Sequence, residues 1–192
     1  MLVLASASPR RRELLTRLVP EFRVEVSGAD ESPSPGRAPE AAAREIAERK
    51  ARAVAAGTDE PVLAADTIVV AADGEILGKP RDAGDARRML RLLAGTTHRV
   101  ITGVCLATRR GARLAGASTT TRVTMRRLAP EEIEDYVATG ESFDKAGAYA
   151  IQETGDRFVT KVDGSWTNVV GLPLETAERL LRAAGIGTRP WA

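Results

Sequence analysis

Residues 61–70, PVLAADTIVV, are a nearly unbroken apolar run of strand length. A strand without polar alternation is covered on both faces and belongs in the middle of a sheet, so the rest of the chain must supply helices to flank it. Leu2, Val3 and Leu4 read as a second short buried strand, with Ser8 as N-cap and Pro9 as first residue of the helix that follows. Phe22, Val24 and Val26 alternate with charges as a half-buried strand, and SGADESPSPGRAPE is a loop. A strong helix runs from 39 to about 56, opened by Pro39 and followed by Gly57. An Asp-Gly turn in ADGEIL folds the central run into a hairpin, and Asp82 caps the helix AGDARRMLRLLAG, closed by Gly95. HRVITGVCLATRR and ARLAGASTTTRVTMRRL flank a turn at Gly111 as a long antiparallel ribbon. Pro130 opens another helix; KAGAYAIQ, RFVTKVDG and SWTNVVG read as short strands; LPLETAERLLRAAG is an amphipathic helix ended by Gly185. This order predicts an α/β (mixed α+β) fold, a mixed β-sheet flanked by helices, in a single domain over residues 1–192.

Composition narrows the chemistry. The single Cys105 rules out an internal disulfide and a multi-cysteine zinc site, and the lone His98 removes most histidine-based metal and triad chemistry. Catalysis then rests on carboxylates, lysines and arginines. A net charge of +2 with 4% aromatic residues is far from a dedicated nucleic-acid binder, so no nucleic-acid partner is expected. No apolar run approaches the roughly 18 residues needed to cross a bilayer, and the N-terminus lacks signal-peptide order, so no membrane partner and a cytoplasmic location are expected.

Asp66 stands inside the central strand, where a buried carboxylate needs a cation, a metal or several donors; bonding to nearby backbone at the strand end is the alternative. Lys50 is its counterpart. At 100 degrees per residue Ala43, Ile46, Ala47, Ala53 and Val54 share one helical face with Lys50 in its middle, so the lysine either points inward at an anion or snorkels past the helix end. Of 28 Lys plus Arg residues only Lys50, Lys79, Lys145 and Lys161 are lysine, which makes those positions candidates for needing a compact ammonium, with chance retention as the alternative. Arg10, Arg11 and Arg12 fall in the first turn of a helix, against the macrodipole; either a phosphate sits before it or the three are solvated on a surface helix. Lys79 follows the hairpin that carries Asp66. Glu31 and Asp30 are either solvated acids of the Pro-rich loop or, with Asp66, complete an oxygen-rich Mg²⁺ or Mn²⁺ site suited to polyphosphates. No GxxxxGK[ST] or strand-linked GxGxxG is present, against a P-loop or dinucleotide fold.

These residues lie in blocks that run almost the whole chain: LASASPRR at 4–11, DES at 30–32, ERKA at 48–51, AADTIV at 64–69, GKPRD at 78–82, GTTHRVITG at 95–103, DKAGAYAIQ at 144–152 and VVGLPL at 169–174. In that order they resemble the Maf family of nucleoside triphosphate pyrophosphatases. The resemblance implies a Maf/ITPase-like sheet in two lobes with a substrate cleft between them, and hydrolysis of a nucleoside triphosphate to monophosphate and pyrophosphate with a divalent metal. It makes Asp66 the proton acceptor for the attacking water and Arg10, Thr67 and Gln152 the specificity positions, in the combination of the dTTP/UTP subgroup rather than the 7-methyl-GTP subgroup. Ser8, Arg10 and Arg11 would then hold phosphates, Lys50 and Lys79 neutralise growing charge, and Glu31 and Asp66 hold the metal. Where many members have Gln-Gly-x-Gly, this chain has QETG. The family often pairs, which makes a homodimer through the long ribbon an expectation. The competing reading is a nucleotide-binding inhibitor of septum formation and cell division.

Overall fold

The computed structural model describes residues 1–108, 112–152 and 154–191. Among them seven strands and six α-helices follow as β1 (Leu2–Leu4), α1 (Pro9–Leu18), β2 (Phe22–Val24), α2 (Pro39–Ala55), β3 (Val62–Val70), β4 (Ile76–Leu77), α3 (Ala83–Leu93), β5 (Thr97–Thr108), β6 (Arg113–Met125), α4 (Pro130–Ala138), β7 (Val159–Asp163), α5 (Trp166–Val170) and α6 (Leu174–Ala183). The strand order is β2-β1-β3-β5-β6-β7, with β4 paired to β3. β1 is parallel to β2 and β3, while β3–β4 and β6–β7 are antiparallel, so the sheet is mixed. The expected turn at Gly111 lies outside the described residues.

The chain divides into two compact units, with β3, β5 and β6 contributing residues to both. The first comprises Met1–Asp66, Thr102–Thr119 and Gly171–Ala192. Its helices form where the sequence marks them: Ser8 Oγ accepts the N–H of Arg11 to cap α1, and Leu14, Leu15 and Leu18 bury its inner face. In its core Ala47, Ala51 and Val54 of α2 pack with Val3, Val62, Ala64 and Cys105 of the sheet. Ala53, expected on that buried face, is exposed and Ala51 takes its place.

Gly103 of β5 sets how closely α2 can approach. A Cβ there would lie 2.3 Å from the carbonyl carbon and oxygen of Ala43 and 2.4 Å from the backbone nitrogen of Arg44, atoms that cannot rotate away. Gly103→Ala should therefore cost about 2–3 kcal/mol, whereas Gly116→Ala, whose methyl meets the flexible Arg44 side chain at 3.3 Å and the Val104 carbonyl oxygen at an ordinary contact distance of 3.4 Å, should cost under about 1 kcal/mol. Denaturant midpoints of the two variants check the contrast; equal losses would mean the α2 contact is not the constraint.

The second unit comprises Thr67–Ile101 and Thr120–Val170. Val69, Leu77, Leu90, Leu93, Val123, Tyr136 and Phe158 build its core. Asp82 caps α3 by accepting from the N–H of Asp85 at 2.8 Å. Two segments expected as strands are not strands. KAGAYAIQ contains a 3₁₀ turn at Ala146–Ala148, because Gly147 and Ala148 take left-handed backbone with φ of 72° and 63°. SWTNVVG becomes α5: Ser165 Oγ accepts from the N–H of Asn168 at 3.3 Å, and the Asn168 amide donates to the Val100 carbonyl and Thr121 Oγ1. RFVTKVDG is strand only from Val159 onward. In the first unit Val26, expected to continue β2, lies beyond its end and is exposed.

Candidate active site

Asp66 is fixed by the strand, and Lys50 by the helix, before either meets the other. β3 holds Asp66 at 7% exposure between apolar neighbours, and the inner face of α2 holds Lys50 at 5%. Lys50 Nζ lies 2.7 Å from Asp66 Oδ1. The same ammonium lies 2.8 Å from Glu31 Oε1, so two carboxylates share one cation. Lys50 thus points inward at an anion, as its place on the helical face predicts.

Glu31 reaches this position because its loop is tied to α2. Ser34 Oγ donates to Glu45, Arg49 donates to the Asp30 carboxylate at 3.3 Å, and the Ser32 N–H donates to Asp30 Oδ1 at 2.9 Å. Asp30 is therefore committed to Ser32 and Arg49, which hold its carboxyl below the usual range, and it does not join the acidic pair as expected.

Arg11 is oriented from both sides. Its Nε donates to the Gly171 carbonyl at 2.8 Å and its terminal nitrogen to Ser6 Oγ at 3.4 Å. Ser6 Oγ also accepts from the Ser8 N–H at 3.2 Å, so one buried hydroxyl braces both the cap and the guanidinium. Burial lowers the Arg11 pKa, and the charges of Asp66 and Glu31 oppose that shift while Arg10 adds to it. All four charges act in one field. Burial pushes the Asp66 carboxyl above its ordinary value, against the pull of Lys50 and Arg11. A carboxylate raised in this way is a stronger base than one in solvent.

The first unit thus brings together Glu31, Lys50, Asp66 and Arg11, with Ser8 capping the helix that carries half-buried Arg10 and Arg11. Thr67 (half-buried), Lys79 (exposed) and Gln152 (exposed) belong to the second unit. There the Gly78 carbonyl beside Lys79 accepts the N–H of Gly147 at 3.1 Å, which joins the GKP segment to the segment that ends at Gln152. Glu153 of the divergent QETG lies outside the described residues. Ser6 and Gly171 carry no local signal of this role in the sequence, although Ser6 lies in LASASPRR and Gly171 in VVGLPL.

Among the described residues no group of three or more His, Cys, Asp or Glu is placed to hold a metal. Two carboxylates completed by substrate phosphate oxygens are nevertheless a donor set that a hard divalent ion accepts, so Glu31 and Asp66 fit that chemistry. No helix among the described residues is long and apolar enough to cross a membrane.

The family described as Maf, Maf-like protein, matches residues 1–184. The chain is 54% identical over 193 residues to a dTTP/UTP pyrophosphatase of Anaeromyxobacter sp. (strain Fw109-5), covering 99% of this chain and 92% of that one. It is 50% identical over 187 residues to a dTTP/UTP pyrophosphatase of Koribacter versatilis (strain Ellin345), covering 96% and 95%. Among solved structures, the Staphylococcus aureus Ham1 protein superposes with a TM-score of 0.54 at 14% identity, covering 95% of this chain and 98% of that one, a likeness of fold alone. With its motif blocks, its buried Lys50–Asp66 pair and a family match over nearly its whole length, this chain belongs to the Maf family.

Proposed function

We propose that this chain is a nucleoside triphosphate pyrophosphatase that hydrolyses dTTP and UTP to the monophosphate and pyrophosphate. The observation that carries the reading is the buried Asp66 with its pKa raised, held by Lys50 beside Glu31 and Arg11, in a chain half identical to dTTP/UTP pyrophosphatases. Polyphosphate hydrolysis needs a base for water and concentrated positive charge for the departing anion. Asp66 and the cations Lys50 and Arg11 supply both.

Water attacks the α-phosphorus, its proton passes to the Asp66 carboxylate, and the bond from the α-phosphorus to the bridging oxygen breaks as pyrophosphate leaves. Lys50 engages Asp66 Oδ1, and Oδ2 takes the proton of the water. Ser8, Arg10 and Arg11 at the start of α1 bind phosphate oxygens, where backbone N–H groups and the helix dipole already favour an anion. Lys79 neutralises charge on the departing pyrophosphate, and Thr67 and Gln152 read the base. Glu31 and Asp66 would hold Mg²⁺ or Mn²⁺, which when bound offsets phosphate charge.

Pyrophosphate release from dTTP, UTP, CTP, 7-methyl-GTP and dATP, with Mg²⁺ or Mn²⁺, tests the reading in wild type and Gln152→Glu. Wild type should turn over dTTP and UTP, and Gln152→Glu should lower both by about tenfold or more with smaller effects on the others. Equal loss for every nucleotide removes Gln152 from base recognition. No metal-dependent turnover of any nucleotide overturns the enzyme reading.

A further inference from the structure

The segment that ends at Gln152 is held in a backbone conformation that Ala148 does not favour. Gly147 and Ala148 are successive left-handed residues, and Ala148, fully buried, is the non-glycine with positive φ among the described residues. Such a conformation persists where the surroundings over-determine it. Gly147 packs so tightly on Val69 that a Cβ would lie 3.1 Å from both Val69 methyl groups, and its N–H is given to the Gly78 carbonyl. Lys145 Nζ, also buried, donates to the Glu141 carbonyl at 2.6 Å and to Asp144 at 2.8 Å. On the far side, the Ala150 N–H donates to the Tyr136 hydroxyl at 3.3 Å.

Between these ties stands one polar pair with no part in the proposed chemistry. Tyr149 OH lies 2.7 Å from His98 Nε2, the rings meet edge-on at 5.5 Å, and the residues are 6% and 1% exposed. His98 Nδ1 is buried and has no hydrogen-bond partner among the described residues. Burial lowers the imidazole to about 4 and raises the phenol, so both are neutral near pH 7. For packing alone, two apolar side chains would fill this space without leaving a ring nitrogen unmet. What the polar pair adds is direction: the hydrogen bond fixes where the Tyr149 ring, and therefore its backbone, sits.

We infer that His98 and Tyr149 are positioning residues for specificity: their buried hydrogen bond sets the placement of the segment 147–152, and so of Gln152. This rests on the base-reading role proposed for Gln152.

Tyr149→Phe keeps the ring and its edge contact and removes only the hydroxyl. His98→Leu removes the partner, and His98→Gln restores a polar group near the Nε2 position. Steady-state kinetics with dTTP, UTP and CTP, alongside melting temperature, are the measurements. Tyr149→Phe and His98→Leu should each raise KM for dTTP and UTP by about tenfold, change kcat by less than about twofold and narrow the preference over CTP, with His98→Gln closer to wild type. In Tyr149→Phe combined with Gln152→Glu, the two effects should not add. If Gln152→Glu shifts the preference but Tyr149→Phe and His98→Leu change only melting temperature, or lower all nucleotides equally, the inference fails while the base-reading role stands. If Gln152→Glu leaves the preference unmoved, that role fails and the inference falls with it.

Discussion

Replacing Asp66 with asparagine should lower pyrophosphate release from dTTP and UTP by about 10²–10⁴-fold, the range general-base catalysis contributes, while the fold survives. Asparagine matches the aspartate in volume and can accept from Lys50 through its amide oxygen, but it cannot take a proton from water. The ammonium is not stranded in the variant, because Glu31 Oε1 remains 2.8 Å away. Removing a desolvated carboxylate from a site where burial already opposes its charge should change stability by no more than about 1 kcal/mol. Activity lost with an unchanged melting temperature is the expected pair of results. A variant that keeps half of its activity would remove Asp66 from the role of base.

The same assignment fixes the acid limb of the pH profile. The base works only when ionised, and burial places the Asp66 pKa above the ordinary carboxylate value, so wild-type kcat/KM should rise with pH through a value above about 4. An acid limb at or below that value would mean that the titrating carboxylate is one exposed to solvent. Asp30, held below its usual range by Ser32, would behave in that way.

The centre of this site is legible in the sequence because each half is anomalous against a regular pattern. Asp66 interrupts an apolar strand and Lys50 interrupts an apolar helical face, and the buried ion pair resolves both anomalies. The bracing of Arg11 is not legible in the same way. Its partner Gly171 is 160 residues distant, and no local periodicity encodes a side chain meeting a carbonyl across that separation. Asp30 and Glu31 are adjacent acids that composition cannot tell apart; only the loop's hydrogen bonds to α2 decide that Glu31 faces Lys50. Long elements with clear start signals, such as α2 opened by Pro39 and α3 capped by Asp82, form where the pattern marks them. The short apolar runs around Tyr149 and Asn168 do not, since at five to eight residues helix and strand patterns overlap and tertiary hydrogen bonds make the choice.

Lys50→Met separates the structural weight of the ion pair from its chemistry. Methionine follows the lysine stem and suits the apolar face of α2, so the change removes a charge without opening a large cavity. It leaves Asp66, 7% exposed, without the ammonium that donates to its Oδ1, and removes the same ammonium from beside Glu31 Oε1. Stranding one member of a buried pair typically costs about 3–5 kcal/mol. The cost should depend on pH, and its sign follows from the proton count. A carboxyl with a folded pKa above its unfolded value binds more protons folded than unfolded, so its contribution to stability is fully present below the unfolded value and is lost as pH rises through the folded one. Burial already raises Asp66 in wild type, and losing the Lys50 charge raises it further. Lys50→Met should therefore be much closer to wild type at about pH 4 than at about pH 8, where the full loss lowers the melting temperature by about 10 °C or more. Adding Asp66→Asn to Lys50→Met should recover most of the deficit at pH 8 and flatten the pH dependence, because the stranded charge is gone. A deficit equal at both pH values, or unrelieved in the double variant, would mean that Lys50 acts through packing and not through the charge it sets against Asp66.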